Sequence, residues 1–403
     1  MNRNIQQLAN LASKNTRHII GLMSGTSLDG LDIALCEISG NGHETSVTVK
    51  EFSTVPYDDA FRNNILEGVA KRKIDLQQLC LLNEYVAINH AAMVNACLVK
   101  WKTNKSEIDL IASHGQTVFH CPNRKLPNGL TINSSLQIGD GDHLAMLTGI
   151  TTISDFRQKH LAAGGEGAPL ALYGDYLLFS KKEEERLLLN IGGIANFTYL
   201  PGNLDTENII CSDTGPGNTL MDGCMRTYYP GSQFDKDAQV ASKGKVNPAL
   251  LLALQEHPFF SLPFPKSTGQ ELFNMEYLDG ALESSGNRNL CMEDTLCTLN
   301  KFTADSIAIA IETNLPGIKN LQVFASGGGI HNPLLMHFLK EKLHNCSIHS
   351  TKELGIGPDV KEAVLFAVLA NECVSGNPDI FKTNGKGLPN MPAICMGKIS
   401  FPR

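Results

Sequence analysis

An α/β fold is what this sequence predicts, from two observations. Strand-like runs recur along the whole chain: HIIGLM (18–23), LDIALCEI (31–38), SVTVKEF (46–52), DLIASHG (109–115), ITTISDF (150–156), RLLLNIGG (186–193), NIICSD (208–213) and LQVFASGG (321–328). Each is short, rich in β-branched or large apolar residues, and bounded by Gly, Asn, Asp or Pro. Longer segments with helical spacing separate them. Residues 75–101 place Leu76, Leu79, Val86 and Ala87 on one face, and 303–315, 332–343 and 361–374 are further helices. Strands mixed with long helices make an α/β protein.

A third observation concerns domains. At 403 residues the chain is long for one core and suits two. An apolar strand runs into a Gly-rich turn at 18–30, and RLLLNIGGIANFTYL repeats the pattern at 186–200. The charged run KKEEER (181–186) just before the second start reads either as a surface boundary or as a solvated helix end. The expected division is 17–185 and 186–403.

Composition excludes several classes. The formal charge is −7 with Lys and Arg scattered, which argues against a nucleic-acid partner. Phosphorylated ligands remain open, because backbone N–H groups bind phosphate without net positive charge. No apolar run approaches the ~20 residues of a membrane span, and the first 16 residues lack a signal-peptide core. They read as a frayed or packed extension. Eleven cysteines at irregular spacings, with no C-x-x-C pair, read as buried thiols in a reducing cytoplasm.

Four glycine-rich turns carry the chemistry. GLMSGTSLDGLDIAL (21–35) matches neither a Walker A loop nor a G-x-G-x-x-G fingerprint. Its Gly25, Thr26, Ser27 and Gly30 can offer N–H and O–H donors to a phosphate. Asp29 or Asp32 can orient Mg²⁺ directly or through water. The alternative is a hairpin closed by Asx-turns. LNIGGIANFT (189–198) reads by itself as a β-turn with Asn196 in it. In SDTGPGNTLMD (212–222) Asp213 follows a strand and is backed by a rigid turn, which suits a general base; a helix N-cap is the alternative. SGGGIHNPLLM (326–336) runs three glycines into a helix, which suits a nucleotide base or phosphates. Together the four turns point to nucleotide binding and phosphoryl transfer.

A polar group lies between them. Gln116, Thr117 and Gln137 suit sugar hydroxyls, and Arg157 suits either a substrate carboxylate or a structural ion pair with a neighbour such as Asp155. No Cys/His cluster completes a zinc site around His114 and His120; one hydrogen-bonded and one surface histidine is the simpler reading.

These blocks, with HGQTVFH, LQIGDGD, DFR…AAGGEGAPL, FDKDAQVASKGKV, PFPKSTGQELFN and GIGPDVKEAVLFAVLA, stand in the order seen in the anhydro-N-acetylmuramic acid kinase family. The resemblance spans about residues 17–375. It implies two α/β domains of the RNase H-like, actin–hexokinase–Hsp70 type around a deep cleft. It also implies ring opening of a 1,6-anhydro muramic sugar by water with phosphorylation of O6 by ATP and Mg²⁺, for cell-wall recycling. On this chain it makes Gly25, Thr26, Ser27, Leu28, Asp29, Gly30, Leu31 and Asp32 the first phosphate loop, with Asp29 toward Mg²⁺. Gly192, Gly193 and Asn196 become the second phosphate loop, and Gly327, Gly328, Gly329 and Asn332 the nucleoside side. Asp213 becomes the general base, and His114, Gln116, Thr117, Gln137, Arg157 and Glu166 the sugar site. A cytoplasmic homodimer with no nucleic-acid or membrane partner is expected.

The chain departs from the family pattern at His160 (usually Asp), Glu166 (usually Gln) and Gln270 (usually Arg). A V-T-G-A stretch is missing near GLPNMPAICMGKI. All four are expected to lie outside the phosphate loops and away from Asp213. Glu166 adds charge near an anionic sugar, so a kinase for a neutral anhydro-sugar such as levoglucosan is the alternative substrate reading. An actin- or Hsp70-like ATPase is the alternative class.

Overall fold

The computed structural model describes residues 2–383, 386–387 and 391–403. Part of the stretch where V-T-G-A is missing, 388–390, lies outside them. Strands β1 (Thr16–Ser24), β2 (Gly30–Ser39), β3 (Ser46–Pro56), β4 (Leu110–Lys125), β5 (Thr131–Ile138) and β6 (Thr152–Ser154) belong to the first half of the chain. β7 (Arg186–Ile191), β8 (Ile194–Leu200), β9 (Ile210–Pro216), β10 (Gln322–Ser326) and β11 (Ser347–Ser350) belong to the second. The helices that matter for the site are α1 (Arg3–Ala12), α2 (Asp59–Gly68), α3 (Leu76–Trp101), α4 (Gly141–Thr148), α5 (Phe156–Ala162), α6 (Ala171–Phe179), α7 (Thr219–Tyr228), α8 (Pro248–Gln255), α9 (Met275–Ser284), α10 (Met292–Asn314), α11 (Pro333–Lys342) and α12 (Lys361–Ser375).

The two sheets share one plan. In the first, β1, β2 and β3 form an antiparallel meander, and β4 and then β6 add in parallel beyond β1, giving the order β6-β4-β1-β2-β3. In the second, β7, β8 and β9 form the meander, and β10 and β11 add in parallel, giving β11-β10-β7-β8-β9. The internal echo in the sequence is therefore a repeated RNase H-like topology. Parallel strands need a crossover, and α3 and α10 supply the long ones. The 26-residue α3 begins at an Asp75 N-cap and ends at Lys102 in the left-handed region. Its buried face carries Leu82, Val86, His90 and Val94, whereas Leu76, expected on that face, is 73% exposed.

Strands β5, β8 and β11 escaped the sequence reading. Each is short or polar (TINSSLQI, IANFTYL, SIHS), and pairing with a stronger neighbour makes it a strand.

The chain groups into two compact units, Met1–Phe179 with Gly355–Arg403, and Ser180–Leu354. The expected division put 186–403 together. Residues 355–403 instead pack with the first unit, because α12 lies on its sheet: a Cβ at Gly21 of β1 would stand 1.9 Å from the Ala363 carbonyl oxygen. The strand Lys398–Ser400 pairs antiparallel with β6. The N-terminal extension is a packed helix, held where the buried Arg17 donates to the carbonyls of Leu11 and Ala12 and to Asn371 Oδ1 at 2.8, 2.7 and 3.0 Å. Cys80, Cys211 and Cys291 are exposed rather than buried. Among the described residues no helix is long and apolar enough to cross a membrane.

Candidate active site

Residues 25–29 bridge β1 and β2 at the end of the first sheet. Among the described residues the amides of Thr26, Ser27 and Leu28 donate to no acceptor, so consecutive N–H groups are left for a ligand. Leu28 holds φ +55° with its side chain fully inside the core, and Leu31 is buried too, so each leaves only its backbone for a ligand. A Cβ at Gly30 would meet the Val55 carbonyl oxygen at 2.6 Å, which fixes glycine there. Thr26 and Ser27 are exposed, and the Ser27 hydroxyl donates to Asp29 Oδ1 at 2.8 Å. Asp32 accepts from Thr54 Oγ1 at 2.5 Å. Burial raises the Asp32 carboxyl above its ordinary range; the Thr54 bond opposes this, and the charges of Asp29 and Asp359 add to it.

This turn is pinned from below by side chains. Ser24 Oγ donates to Gln116 Oε1 at 2.5 Å, and Tyr57 OH donates to Ser24 Oγ at 2.7 Å. Gln116 Nε2 donates to the Gly25 carbonyl at 3.2 Å. Gln116 is fully buried with both ends of its amide engaged. Expected at the sugar, its amide instead holds the β1–β2 turn.

The other expected sugar residues sort by geometry. Arg157 Nε donates to His114 Nε2 at 3.0 Å, so the histidine proton sits on Nδ1. Burial first, then the Arg157 charge, push the His114 pKa down to about 3, keeping the ring neutral. The ion pair considered for Arg157 does not form, since Asp155 pairs with Lys398. Its charge is held in place by a neutral partner. Gln137 Nε2 donates to Thr117 Oγ1 at 3.1 Å and to Ser135 Oγ at 2.8 Å. Its Oε1 is buried without a partner among the described residues, and Gln137 and His114 both line a cavity of about 420 Å³. Glu166 is exposed and accepts from Asn123 Nδ2 at 3.0 Å. His160 is wholly buried; its Nδ1 accepts from the Gly167 amide at 2.9 Å, and a Cβ at Gly165 would stand 2.2 Å from its ring. It shapes the 164–167 loop.

In the second unit three glycine turns converge. The Gly192-Gly193 turn links β7 and β8, and its carbonyls accept from Gly217 and Asn218 at 2.8 Å each and from Thr219 at 3.2 Å. Asn218 Nδ2 donates to the carbonyls of Ile191 and Gly192. A Cβ at Gly327 (φ +86°) would meet the Ile191 carbonyl oxygen at 2.5 Å, and one at Gly329 would meet Ile191 Cγ2 at 2.3 Å. Gly328 and Asn332 line a cavity of about 450 Å³ with Asn218, Asp222 and Phe234. Asn332 also caps α11, accepting from the Leu335 amide at 3.0 Å.

Asp213 lies within β9, opposite Asn196 of β8, which in turn faces Asn190 of β7. It is not a helix N-cap, since the N-cap of α7 is Asn218, five residues further on. The register slips beside it, leaving Thr214 as the extra residue of a bulge that turns the strand. Asp213 Oδ2 accepts from the Thr268 amide at 2.8 Å, and the Asp213 amide donates to the Lys266 carbonyl at 3.0 Å. Burial raises its carboxyl above the ordinary range, opposed by the Thr268 bond.

Gln270, expected to lie away from the glycine turns, leans on one of them in space: a Cβ at Gly193 would stand 2.8 Å from Gln270 Nε2. Sequence reasoning also passed over Glu362. It is exposed at the start of α12, yet its carboxyl is raised first by the protein packed around it and then by the Asp32 charge, and lowered by Lys361 and Arg157. An acidic residue in a first helical turn looks like dipole compensation, so only its nearness to Asp32 and Arg157 singles it out.

The family model described as anhydro-N-acetylmuramic acid kinase matches residues 17–388. A protein of that name from Pseudoalteromonas atlantica is 54% identical over the full length of both chains. Another from Caldanaerobacter subterraneus subsp. tengcongensis is 37% identical over 98% of this chain and 100% of its own. Among solved structures, component A of (R)-2-hydroxyglutaryl-CoA dehydratase from Acidaminococcus fermentans aligns with a TM-score of 0.40 at 10% identity, over 89% of this chain and 99% of that one. With most of its length matched by the family model and full-length relatives this similar, the chain belongs to the anhydro-N-acetylmuramic acid kinase family.

Proposed function

We propose that this chain opens the 1,6-anhydro ring of anhydro-N-acetylmuramic acid with water and transfers the γ-phosphoryl group of ATP to O6, giving N-acetylmuramate 6-phosphate. The observation that carries the reading is Asp213, a half-buried carboxylate on a bulged strand with one oxygen fixed by the Thr268 amide. A general base needs this placement and a pKa moved toward working pH. Asp213 takes a proton from the water that attacks the anomeric carbon. The C1–O6 bond breaks with its electron pair left on O6. O6 then attacks the γ-phosphorus, and ADP leaves.

The remaining residues position and stabilise. The free amides of residues 26–28 and the Gly192-Gly193 turn cradle the phosphates. Gly327, Gly328, Gly329 and Asn332 border the nucleoside. Arg157, oriented by neutral His114, pairs with the substrate carboxylate. Gln137 Oε1 awaits a hydroxyl donor. Asp29 suits Mg²⁺: its carboxylate is exposed, and the charges of Asp29 and Asp359 already press on Asp32, a strain that a cation relieves. Bound there, Mg²⁺ would neutralise charge on the transferring phosphates. A cytoplasmic site of action is the reading that ATP as donor and the irregularly spaced cysteines support. A homodimer follows from the family resemblance.

His160 and Glu166 do not favour a neutral sugar, since one packs inside a loop and the other is held by Asn123. The test follows the protein with Mg·ATP by phosphorus NMR, supplying the muramate sugar, levoglucosan or none. A 6-phosphate formed only with the muramate sugar is expected. Product only from levoglucosan, or phosphate release without sugar, would overturn the reading.

A further inference from the structure

The segment that fixes Asp213 is itself anchored by an unusual cation. Ser212 and Asp213 hold residues 266–268 through three hydrogen bonds. The Lys266 amide donates to Ser212 Oγ at 2.9 Å, the Asp213 amide donates to the Lys266 carbonyl at 3.0 Å, and the Thr268 amide donates to Asp213 Oδ2 at 2.8 Å. The Lys266 side chain runs into the unit and is 8% exposed. Its ammonium donates to the carbonyls of Phe259 and Phe260 at 3.0 and 3.3 Å. It also lies 4.3 Å from the centroid of the Phe264 ring and 4.5 Å from that of Phe259.

Burying an ammonium against carbonyls and rings is expensive, and a methionine of similar length would fill the same space without that cost. Carbonyl and ring contacts offset part of the penalty, and burial still lowers the Lys266 pKa. What the lysine does that an apolar chain cannot is lock two backbone stretches together. Residues 259–260 accept from its head, and residues 266–268 carry its backbone onto Asp213.

We infer that Lys266 is a positioning residue for Asp213, holding the 266–268 segment so that the Thr268 amide stays on the carboxylate. The inference rests on Asp213 as the general base. It makes the Thr268 bond the quantity that Lys266 controls. A hydrogen bond to the ionised form favours that form, so loosening the segment raises the pH at which Asp213 becomes a base.

The experiment is the pH profile of kcat/KM for the muramate sugar in the full-length protein, with ATP affinity and thermal unfolding measured beside it. Lys266→Met is expected to move the acid limb up by about one pH unit, about tenfold less activity below the limb, with kcat falling and ATP affinity kept. Lys266→Arg, which can still donate to both carbonyls, is expected to restore the limb. Phe264→Leu keeps the ammonium but removes one ring, and is expected to give a smaller shift of the same sign. It decides the matter if the Met variant does not fold. A lowered unfolding temperature with an unmoved acid limb in the folded variants would overturn the inference, since the lysine would then be structural only. Asp213→Asn separates the two claims. If that variant keeps its activity, the base assignment fails; if it is inactive while the Lys266 and Phe264 variants leave the limb in place, only the role of Lys266 fails.

Discussion

The turn between β1 and β2 and the turn between β7 and β8 occupy the same position in two sheets of one topology, yet they are held by different means. The first is five residues long and is pinned by side chains: Ser24, Tyr57 and Gln116 form a chain of hydrogen bonds beneath it, continued by Tyr57 OH and His90 Nε2 at 2.9 Å. The second is two glycines and is pinned by backbone, with the amides of Gly217, Asn218 and Thr219 on its carbonyls. A side-chain network can lose one member and relax. A backbone clasp at this spacing has nowhere to move. The turn of the second unit should therefore be the more brittle of the two, and that unit also carries Asp213.

The comparison breaks most severely at Asp213. Asp213→Asn keeps the shape and removes the base, so kcat should fall by at least ~10²–10⁴ while ATP binding measured by calorimetry is retained. In the parent protein the acid limb of kcat/KM should lie above the ordinary aspartate pKa of about 3.9, because burial raises Asp213, and activity should be lost as pH falls through it. Next comes the clasp. A Cβ at Gly217 would stand 2.2 Å from the Gly192 carbonyl oxygen. Gly217→Ala should displace the second turn and cost about 10² in kcat/KM, with the first turn untouched. Steady-state kinetics within tenfold of the parent would mean that the clasp yields as readily as a side-chain network.

How far the sequence revealed this site follows the same division. Backbone devices leave glycines, and all four glycine turns could be read before any coordinates. So could the long strands and helices, whose apolar periods are strong. Side-chain devices were harder to read. Gln116 was assigned to the sugar because amides suit hydroxyls, and His114 because of the family resemblance; only burial and partners show that they hold the β1–β2 turn and Arg157. The places of Lys266 and Gln270 could not be read for a different reason. Their neighbours, Asp213 and Gly193, lie more than fifty residues away, and local spacing has no access to a pairing made by tertiary structure. The placement of α12 on the first sheet, and Glu362 with it, belongs to the same class.

Removing one member of the side-chain network sharpens the contrast. Gln116→Leu takes away the acceptor for Ser24 and the donor to Gly25, while the shape is roughly kept. The lost bonds are worth about 1–2 kcal/mol, so KM for ATP should rise about tenfold, well short of the loss at Gly217. An effect as large as that of Gly217→Ala would remove the distinction between the two turns.

The smallest expected effect is at Gln270. Its amide lies against Gly193 and is exposed, so Gln270→Arg adds a mobile, solvated cation beside the Gly192-Gly193 turn. Such a charge gains about 0–1 kcal/mol from a nearby anion in water, or a factor of about two to five in KM for ATP. The gain should shrink as salt rises and the Debye length falls toward about 8 Å. It should leave kcat and the acid limb alone, because the arginine joins neither the Thr268 bond nor the clasp. An increase in kcat, or a salt-independent gain, would mean instead that residue 270 reaches the transferring phosphoryl group. The second turn would then depend on a side chain after all, as the first one does.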